Sequence, residues 1–211
     1  MDNQAGMLRR SFIKKLVYMG GGAVMMSSLG KSRLSAAESL SASSSSTKSG
    51  VGNTSQLHSQ RMKDLIEFTS TSLATDYPSP FGASIYDAEG KLIVQTYDTV
   101  IKDGDPTSHG EVNAIRKAVR IVDSMSLKGC TIYSTCEPCS MCMSSIIWAD
   151  IDVLVFGATV NEDASKYWQQ PLDITASEIA DRMLLSKCEV IPEVERPLAQ
   201  KLFEDWKAVT S

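Results

Sequence analysis

Four side chains of types that do chemistry stand in a fixed order near the middle of this 211-residue chain. His109-Gly110-Glu111 comes first, and Pro138-Cys139-Ser140-Met141-Cys142 follows. An imidazole and two thiolates are ligands that Zn2+ takes in a tetrahedron, and a catalytic zinc keeps three protein ligands and leaves its fourth place to water. His109, Cys139 and Cys142 supply such a set. Cys139 and Cys142 are three apart, so on a helix they lie one above the other. Pro138 suits the start of that helix, where its missing N–H costs nothing. Cys139 would then sit in the first turn, where the positive end of the helix dipole and a nearby cation both favour thiolate. Zinc lowers the pKa of its water to roughly 7. Glu111 is the nearby carboxylate that could carry protons between that water and a leaving group.

Other readings compete. Ser108 and Glu111 also have capping-box spacing, in which Glu111 would only satisfy backbone donors. Cys-x-x-Cys alone also fits a structural zinc knuckle or a redox pair. The ordered combination, with a helix start at each half, favours a catalytic zinc site.

The fold must bring the two halves together. From Gln56 to about Thr75, Met62, Leu65, Ile66, Phe68 and Leu73 recur at helical spacing. Gly82–Tyr86 and Leu92–Tyr97 read as strands of a hairpin joined at Asp87-Ala88-Glu89-Gly90. Residues 98–108 read as a loop, followed by a helix from His109 to about Asp123. Then come a buried strand at Cys130–Ser134, a helix from Cys139 to about Ala149 and a strand at Asp152–Gly157. A loop with Tyr167 and Trp168, a helix at Ala176–Leu185, a short strand at Cys188–Ile191 and a helix from Pro197 to about Val209 complete the chain. This alternation predicts a three-layer α/β/α sandwich with a mixed central sheet. If the helices opening at His109 and Cys139 pack side by side on one face, their N-termini can meet.

The remaining cysteines divide differently. Cys130 and Cys188 begin predicted strands and read as core residues, with a disulfide between them open. Cys136, just before the zinc helix, either shapes the turn or supplies a fourth ligand that would close the site.

The ends of the domain are expected to differ from its middle. Arg9-Arg10-Ser11-Phe12-Ile13-Lys14 precedes an uncharged, largely apolar run from Leu16 to Leu29. That run is shorter than the about 20 residues that cross a bilayer. Residues 1–37 therefore read as a twin-arginine (Tat) export signal cut after Ala37, which implies the Tat machinery as a partner, a periplasmic location and no stable membrane anchor. Residues 38–55 are Ser-rich and read as a flexible linker, leaving residues 56–211 as one domain. Six of the 21 Lys and Arg and one of the 25 Asp and Glu fall in residues 1–37, leaving 15 against 24, a net charge of −9. Without a basic stripe, such a surface suits small molecules better than nucleic acid.

Residues 80–160 resemble the zinc-dependent cytidine deaminase superfamily, most closely its guanine deaminase and cytosine/adenosine deaminase branch. The resemblance rests on Pro80-Phe81-Gly82-Ala83, on Asp105 to Arg116 around the His-Gly-Glu motif, and on Cys136-Glu137-Pro138-Cys139-Ser140-Met141-Cys142 with Ile147-Trp148-Ala149. It implies one zinc per subunit, a homodimer, and hydrolytic removal of an exocyclic amine from a small-molecule nucleobase or nucleoside, with guanine to xanthine favoured. By position it makes His109, Cys139 and Cys142 the ligands and Glu111 the proton shuttle. Phe81 would lie against the base, or be a buried residue at a strand start. Gly110, where such proteins more often have Ala, would offer backbone groups to the substrate, and Trp148 would line the pocket or merely pack, the pocket being favoured.

Two departures bear on the substrate. Asp98 stands where the family has a substrate-binding Asn. An ionised carboxylate only accepts hydrogen bonds, so Asp98 implies either a different substrate edge or a donor such as a ring N–H or a ribose hydroxyl. Some guanine deaminases complete the site with an exchanged C-terminal tail ending in Tyr; this chain has Trp206 near its end and no such Tyr. The tRNA adenosine deaminase branch shares the motif, but export and an acidic surface count against it. A catalytically silent, zinc-stabilised binding domain is the third possibility.

Overall fold

The computed structural model describes residues 48–184 and 187–211. The expected export signal and residues 38–47 of the expected linker lie outside them. Five strands form one sheet: β1 (Gly82–Tyr86), β2 (Leu92–Tyr97), β3 (Thr131–Cys136), β4 (Val153–Ala158) and β5 (Glu189–Ile191). Their order is β2-β1-β3-β4-β5. β1 runs antiparallel to both β2 and β3, while β3, β4 and β5 are parallel, so the sheet is mixed as expected.

The alternation of side chains along the strands explains the layers. Ala83 and Ile85 of β1, Ile132 of β3, and Leu154 and Phe156 of β4 meet the helices α3 (Gly110–Ile121), α4 (Ser140–Trp148) and α5 (Ala176–Asp181) through Ala114, Ala118, Met143, Ile146 and Ala176. On the opposite face Tyr86, Tyr133 and Val155 pack on Met62 and Leu65 of α1 (Lys48–Ser70). α6 (Arg196–Thr210) shares that face, beside α1 and over β4. The hairpin closes as a turn in which Asp87 Oδ1 accepts the Lys91 N–H at 2.8 Å and Gly90 takes a φ of 84°.

Some boundaries differ from expectation. α1 begins at Lys48, inside the stretch read as linker, and nothing in the composition of residues 48–55 accounts for the extra turns. The loop after β2 contains a short helix, α2 (Val100–Asp103), ended by Gly104 at a φ of 62°. Cys130 and Cys188 are buried free thiols in one core. β4 stands between the strands that follow them. Two strand spacings are roughly 10 Å, too far for the disulfide left open by the sequence. Among the described residues no helix is long and apolar enough to cross a membrane.

Register places one end of the sheet for function. Gly82 pairs with Tyr97, Ala83 with Ser134, and Cys136 with Ala158. The start of β1 and the carboxyl ends of β2, β3 and β4 therefore lie together. α3 and α4 both begin at this edge, the usual place for a ligand crevice in an open α/β sheet.

Candidate active site

The two half-motifs meet as the fold requires. His109 caps the N-terminus of α3, and Cys139 caps that of α4, each with extended backbone and no side-chain capping bond. Cys142 follows one turn into α4. The Sγ atoms of Cys139 and Cys142 lie 3.8 Å and 3.5 Å from His109 Nδ1. A tetrahedral zinc with bonds of roughly 2.3 Å to sulfur and 2.0 Å to nitrogen would separate such donors by roughly 3.5 Å. The three ligand atoms all lie within 4.8 Å of one another, and the donor set and its spacing fit zinc.

Thiol chemistry agrees. Hydrogen bonding with Cys142 lowers the Cys139 thiol to about 4; burial opposes this, and His109 reinforces it. The same sharing pushes Cys142 up. His109 is raised, mainly by its hydrogen bond with Cys139. Metal coordination deprotonates a thiol outright. Cys136 does not join the ligand group. It is buried against Ala158, Ala164 and Phe203, and burial pushes its thiol well up.

Glu111 lies two residues beyond His109 and is buried. Its Oε1 accepts the Ser134 hydroxyl at 3.1 Å. Ser108, the partner a capping box would need, instead donates to Asp105 Oδ2. The capping-box reading therefore gives way. Burial first, and the neighbouring Cys139 second, raise the Glu111 carboxyl above its usual range. That direction moves an acid toward the range where proton exchange near neutrality is efficient.

A cavity of about 290 Å³ opens over this group. Phe81, Asp98, His109, Glu111 and Cys139 line it. Phe81 reaches the wall because Thr135 ties the start of β1 to β3: its Oγ1 accepts the Gly82 N–H at 2.9 Å and donates to Pro80 O at 2.7 Å. The Asp98 N–H donates to Phe81 O at 2.8 Å, and Asp98 Oδ1 accepts the Val100 N–H at 3.2 Å. Burial raises the Asp98 carboxyl, with the Val100 N–H and His109 opposing.

Two expected residues lie elsewhere. Gly110 is buried and off the cavity wall; its carbonyl accepts the Thr96 hydroxyl at 2.7 Å. Trp148 is 88% exposed and also off the wall. It ends α4, six residues past Cys142, and at 1.5 Å per residue that is roughly 9 Å along the axis. A helix that delivers its first turn to the site carries its last residue away.

The structure adds residues that the motif does not contain. Trp168 stands edge-on to Phe81, with ring centroids 5.8 Å apart, and to His109 at 6.3 Å. Trp206 of α6 reaches the cavity, its indole N–H donating to Pro78 O at 3.0 Å. Glu137 also borders the cavity; its carboxylate accepts the Val160 N–H at 3.2 Å and the Ala176 N–H at 2.9 Å. Asn113 Nδ2 donates to Thr99 Oγ1 and Ser108 O, fastening the loop before His109 to α3. Trp168 and Trp206 lie far along the chain from the motif, and nothing local in the sequence says which tryptophan faces the metal.

Comparison with known proteins agrees with this geometry. Residues 55–158 match the cytidine and deoxycytidylate deaminase zinc-binding region. Guanine deaminase of Bacillus subtilis (strain 168) is 41% identical over 87 residues, covering 41% of this chain and 54% of that protein. The solved structure of a B. subtilis guanine deaminase superposes with a TM-score of 0.51 at 31% identity, covering 54% of this chain and 71% of that one. A tRNA-specific adenosine deaminase of Aquifex aeolicus is 38% identical over 79 residues, covering 37% of this chain and 52% of that protein. The guanine deaminase structure from Nitrosomonas europaea superposes with a TM-score of 0.61 at 22% identity, covering 71% of this chain and 84% of that one, a likeness of fold. The chain spans about half the length of the curated relatives it matches. With the ligand triad, the buried glutamate and the mixed sheet all in place, this chain belongs to the cytidine and deoxycytidylate deaminase zinc-binding family.

Proposed function

We propose that the chain removes an exocyclic amine from a purine or pyrimidine ring by hydrolysis, with guanine to xanthine the favoured reaction. The observation that carries this reading is the buried Glu111 carboxylate beside the His109–Cys139–Cys142 triad at the floor of an aromatic-walled cavity. The relative from B. subtilis named guanine deaminase supports the choice of ring.

His109, Cys139 and Cys142 would hold zinc, which when bound supplies Lewis acidity that makes a water acidic near neutral pH. Glu111 takes a proton from the attacking water. Oxygen bonds to the carbon bearing the amine, which is C2 of guanine, and gives a tetrahedral carbon. Glu111 passes that proton to the ring nitrogen, then takes the second proton from the new hydroxyl and gives it to the amine, and ammonia departs as the carbonyl forms. Ser134 fixes the carboxylate for both transfers. Phe81 and Trp168 exclude water and present aromatic edges and faces to the ring.

Glu111→Ala is the direct test. The variant should keep its zinc and lose ammonia release by about 10²- to 10⁴-fold or more, the range of general acid–base catalysis. Normal release by a zinc-replete variant would remove Glu111 from the mechanism. Stoichiometric zinc with no ammonia from guanine, cytosine, adenosine or cytidine in the native chain would instead favour the silent binding domain. Salt-dependent RNA binding would favour the tRNA branch. Homodimer formation and Tat export belong to the same proposal. Export predicts a mature periplasmic chain beginning after Ala37, which N-terminal sequencing would detect.

A further inference from the structure

We infer that Glu137 is a positioning residue whose carboxylate holds the loop bearing Trp168 against the metal triad. The inference rests on the proposed deamination and adds to it what sets the wall for the ring. Glu137 is buried, and its two oxygens are used separately. Oε2 accepts the Val160 N–H at 3.2 Å, and Oε1 accepts the Ala176 N–H at 2.9 Å. Val160 comes two residues after the end of β4, and Ala176 opens α5. Between them runs the return loop, with the 3₁₀ turn Ala164–Lys166 and then Tyr167 and Trp168. One carboxylate therefore ties both ends of that loop. Loops with their ends drawn together and fixed on a rigid scaffold are a common way to present functional side chains.

On its other side Glu137 is fastened to the ligand turn. It leaves β3 with its N–H donating to Ala158 O at 2.7 Å. Pro138 comes next with a fixed φ, and it restricts the backbone of the residue before it. Cys139 follows at once as the cap of α4. Little rotational freedom thus separates the Glu137 backbone from the ligand cysteine. The loop it holds brings Trp168 edge-on to His109, with ring centroids 6.3 Å apart, and Glu137, Tyr167 and Trp168 border the same cavity. The residue type matters. A carboxylate accepts on both oxygens, whereas glutamine has one accepting oxygen and an NH2 that only donates. Val160 and Ala176 are both buried, so an N–H left without its acceptor cannot turn to water. Trp206 is the internal control, because it reaches this cavity from α6 through its own bond to Pro78 O.

The test is Glu137→Gln in the zinc-loaded full chain labelled with 5-fluorotryptophan, each fluorine resonance being assigned by a single Trp→Phe replacement. The Trp168 resonance should shift or broaden, while those of Trp206 and Trp148 stay in place and zinc remains stoichiometric. In ammonia release from guanine the variant should lose about 10- to 100-fold in kcat/KM, the range for stranding a buried donor. Nearly all of that loss should fall on KM, with the pH profile of kcat unchanged. A role confined to stability would lower the Tm and leave both the Trp168 resonance and KM at their native values, which would overturn the inference. Ala176→Pro is the second variant, and it decides the matter if Glu137→Gln does not fold. It deletes one of the two donors at the first helical position, where proline is favoured, and the extended Thr175 before it suits a following proline. It should move the Trp168 resonance as Glu137→Gln does. An unmoved Trp168 resonance, a shift of all three tryptophans together, or a loss in kcat with KM unchanged would overturn the inference and leave the deamination standing. If the native chain releases no ammonia from guanine, cytosine, adenosine or cytidine, the proposed reaction itself fails, and the fluorine spectra alone decide whether Glu137 positions Trp168.

Discussion

A methyl group added at position 110 would have nowhere to go. A Cβ built there lies 2.9 Å from Phe81 O and 3.4 Å from both Ala83 N and the Gly82 carbonyl carbon, all backbone atoms. Backbone cannot swing aside as a side chain does, so α3 sits against the start of β1 only because residue 110 is glycine. Gly110→Ala should destabilise the fold by about 1–3 kcal/mol, the usual cost of overpacking. It should also push the His109–Glu111 turn away from Phe81. Thermal melts with and without zinc would show both effects, as a lower Tm and a smaller shift on adding metal; an unchanged Tm would mean the helix moves freely. At this scale the motif residues were legible because their spacing alone encodes a ligand set. Asp98 and Phe81 reached the cavity wall as the family resemblance implied. The choice between Trp148 and Trp168 was not legible, since it depends on which end of a helix and which return loop face the metal.

Between elements, one carboxylate joins the return loop to the last helix. Asp163 precedes the 3₁₀ turn Ala164–Lys166, which leads directly into Tyr167 and Trp168. Its carboxylate accepts from the Thr159 N–H at 2.9 Å, from Arg196 Nε at 2.8 Å and from Gln200 Nε2 at 2.7 Å. Burial by itself would raise this acid, but the hydrogen bonds from Arg196, Gln200 and Thr159 outweigh it and hold the group at about 2, against an ordinary 3.8. A depressed acid stabilises the fold above its unfolded pKa and loses that contribution as pH falls through the folded one. The contribution is thus complete above about pH 4 and fades toward pH 2. Asp163→Asn should cost about 1–3 kcal/mol near neutrality, because it strands buried donors. The gap in urea midpoint between the two proteins should then close from pH 5 down to pH 2, and a gap independent of pH would refute the clasp. Strands β1 and β2 were legible to the residue, since alternation and a turn bound them on each side. The site's second wall was not, because Trp206 arrives there through packing of α6 on α1 and β4 and Trp168 through the return loop, rather than through any local pattern.

For the molecule as a whole, the surface carries one feature that the proposed chemistry does not use. α3 and α4 run side by side from the metal site, and their far ends are held together where Ser126 Oγ donates to Asp150 Oδ2 at 3.1 Å. There Trp148 is 88% exposed and Met125 71%, with Ile121 and Val122 also exposed. Large apolar side chains exposed at the ends of two neighbouring helices are what a protein partner covers. A second copy of this chain is the occupant consistent with the proposed homodimer, because an isologous contact buries the same patch from both sides. Trp148→Glu tests this without touching the site. An exposed substitution of this kind changes monomer stability by no more than about 0.5 kcal/mol, and the residue lies roughly 9 Å along α4 from Cys142. Sedimentation of the native chain should therefore give a dimer, and the variant a monomer with undiminished zinc content. A native monomer, or a variant that still sediments as a dimer, would mean that this patch does not join two copies. Loss of zinc along with the dimer would mean that the interface also holds the N-termini of α3 and α4 in register at the metal.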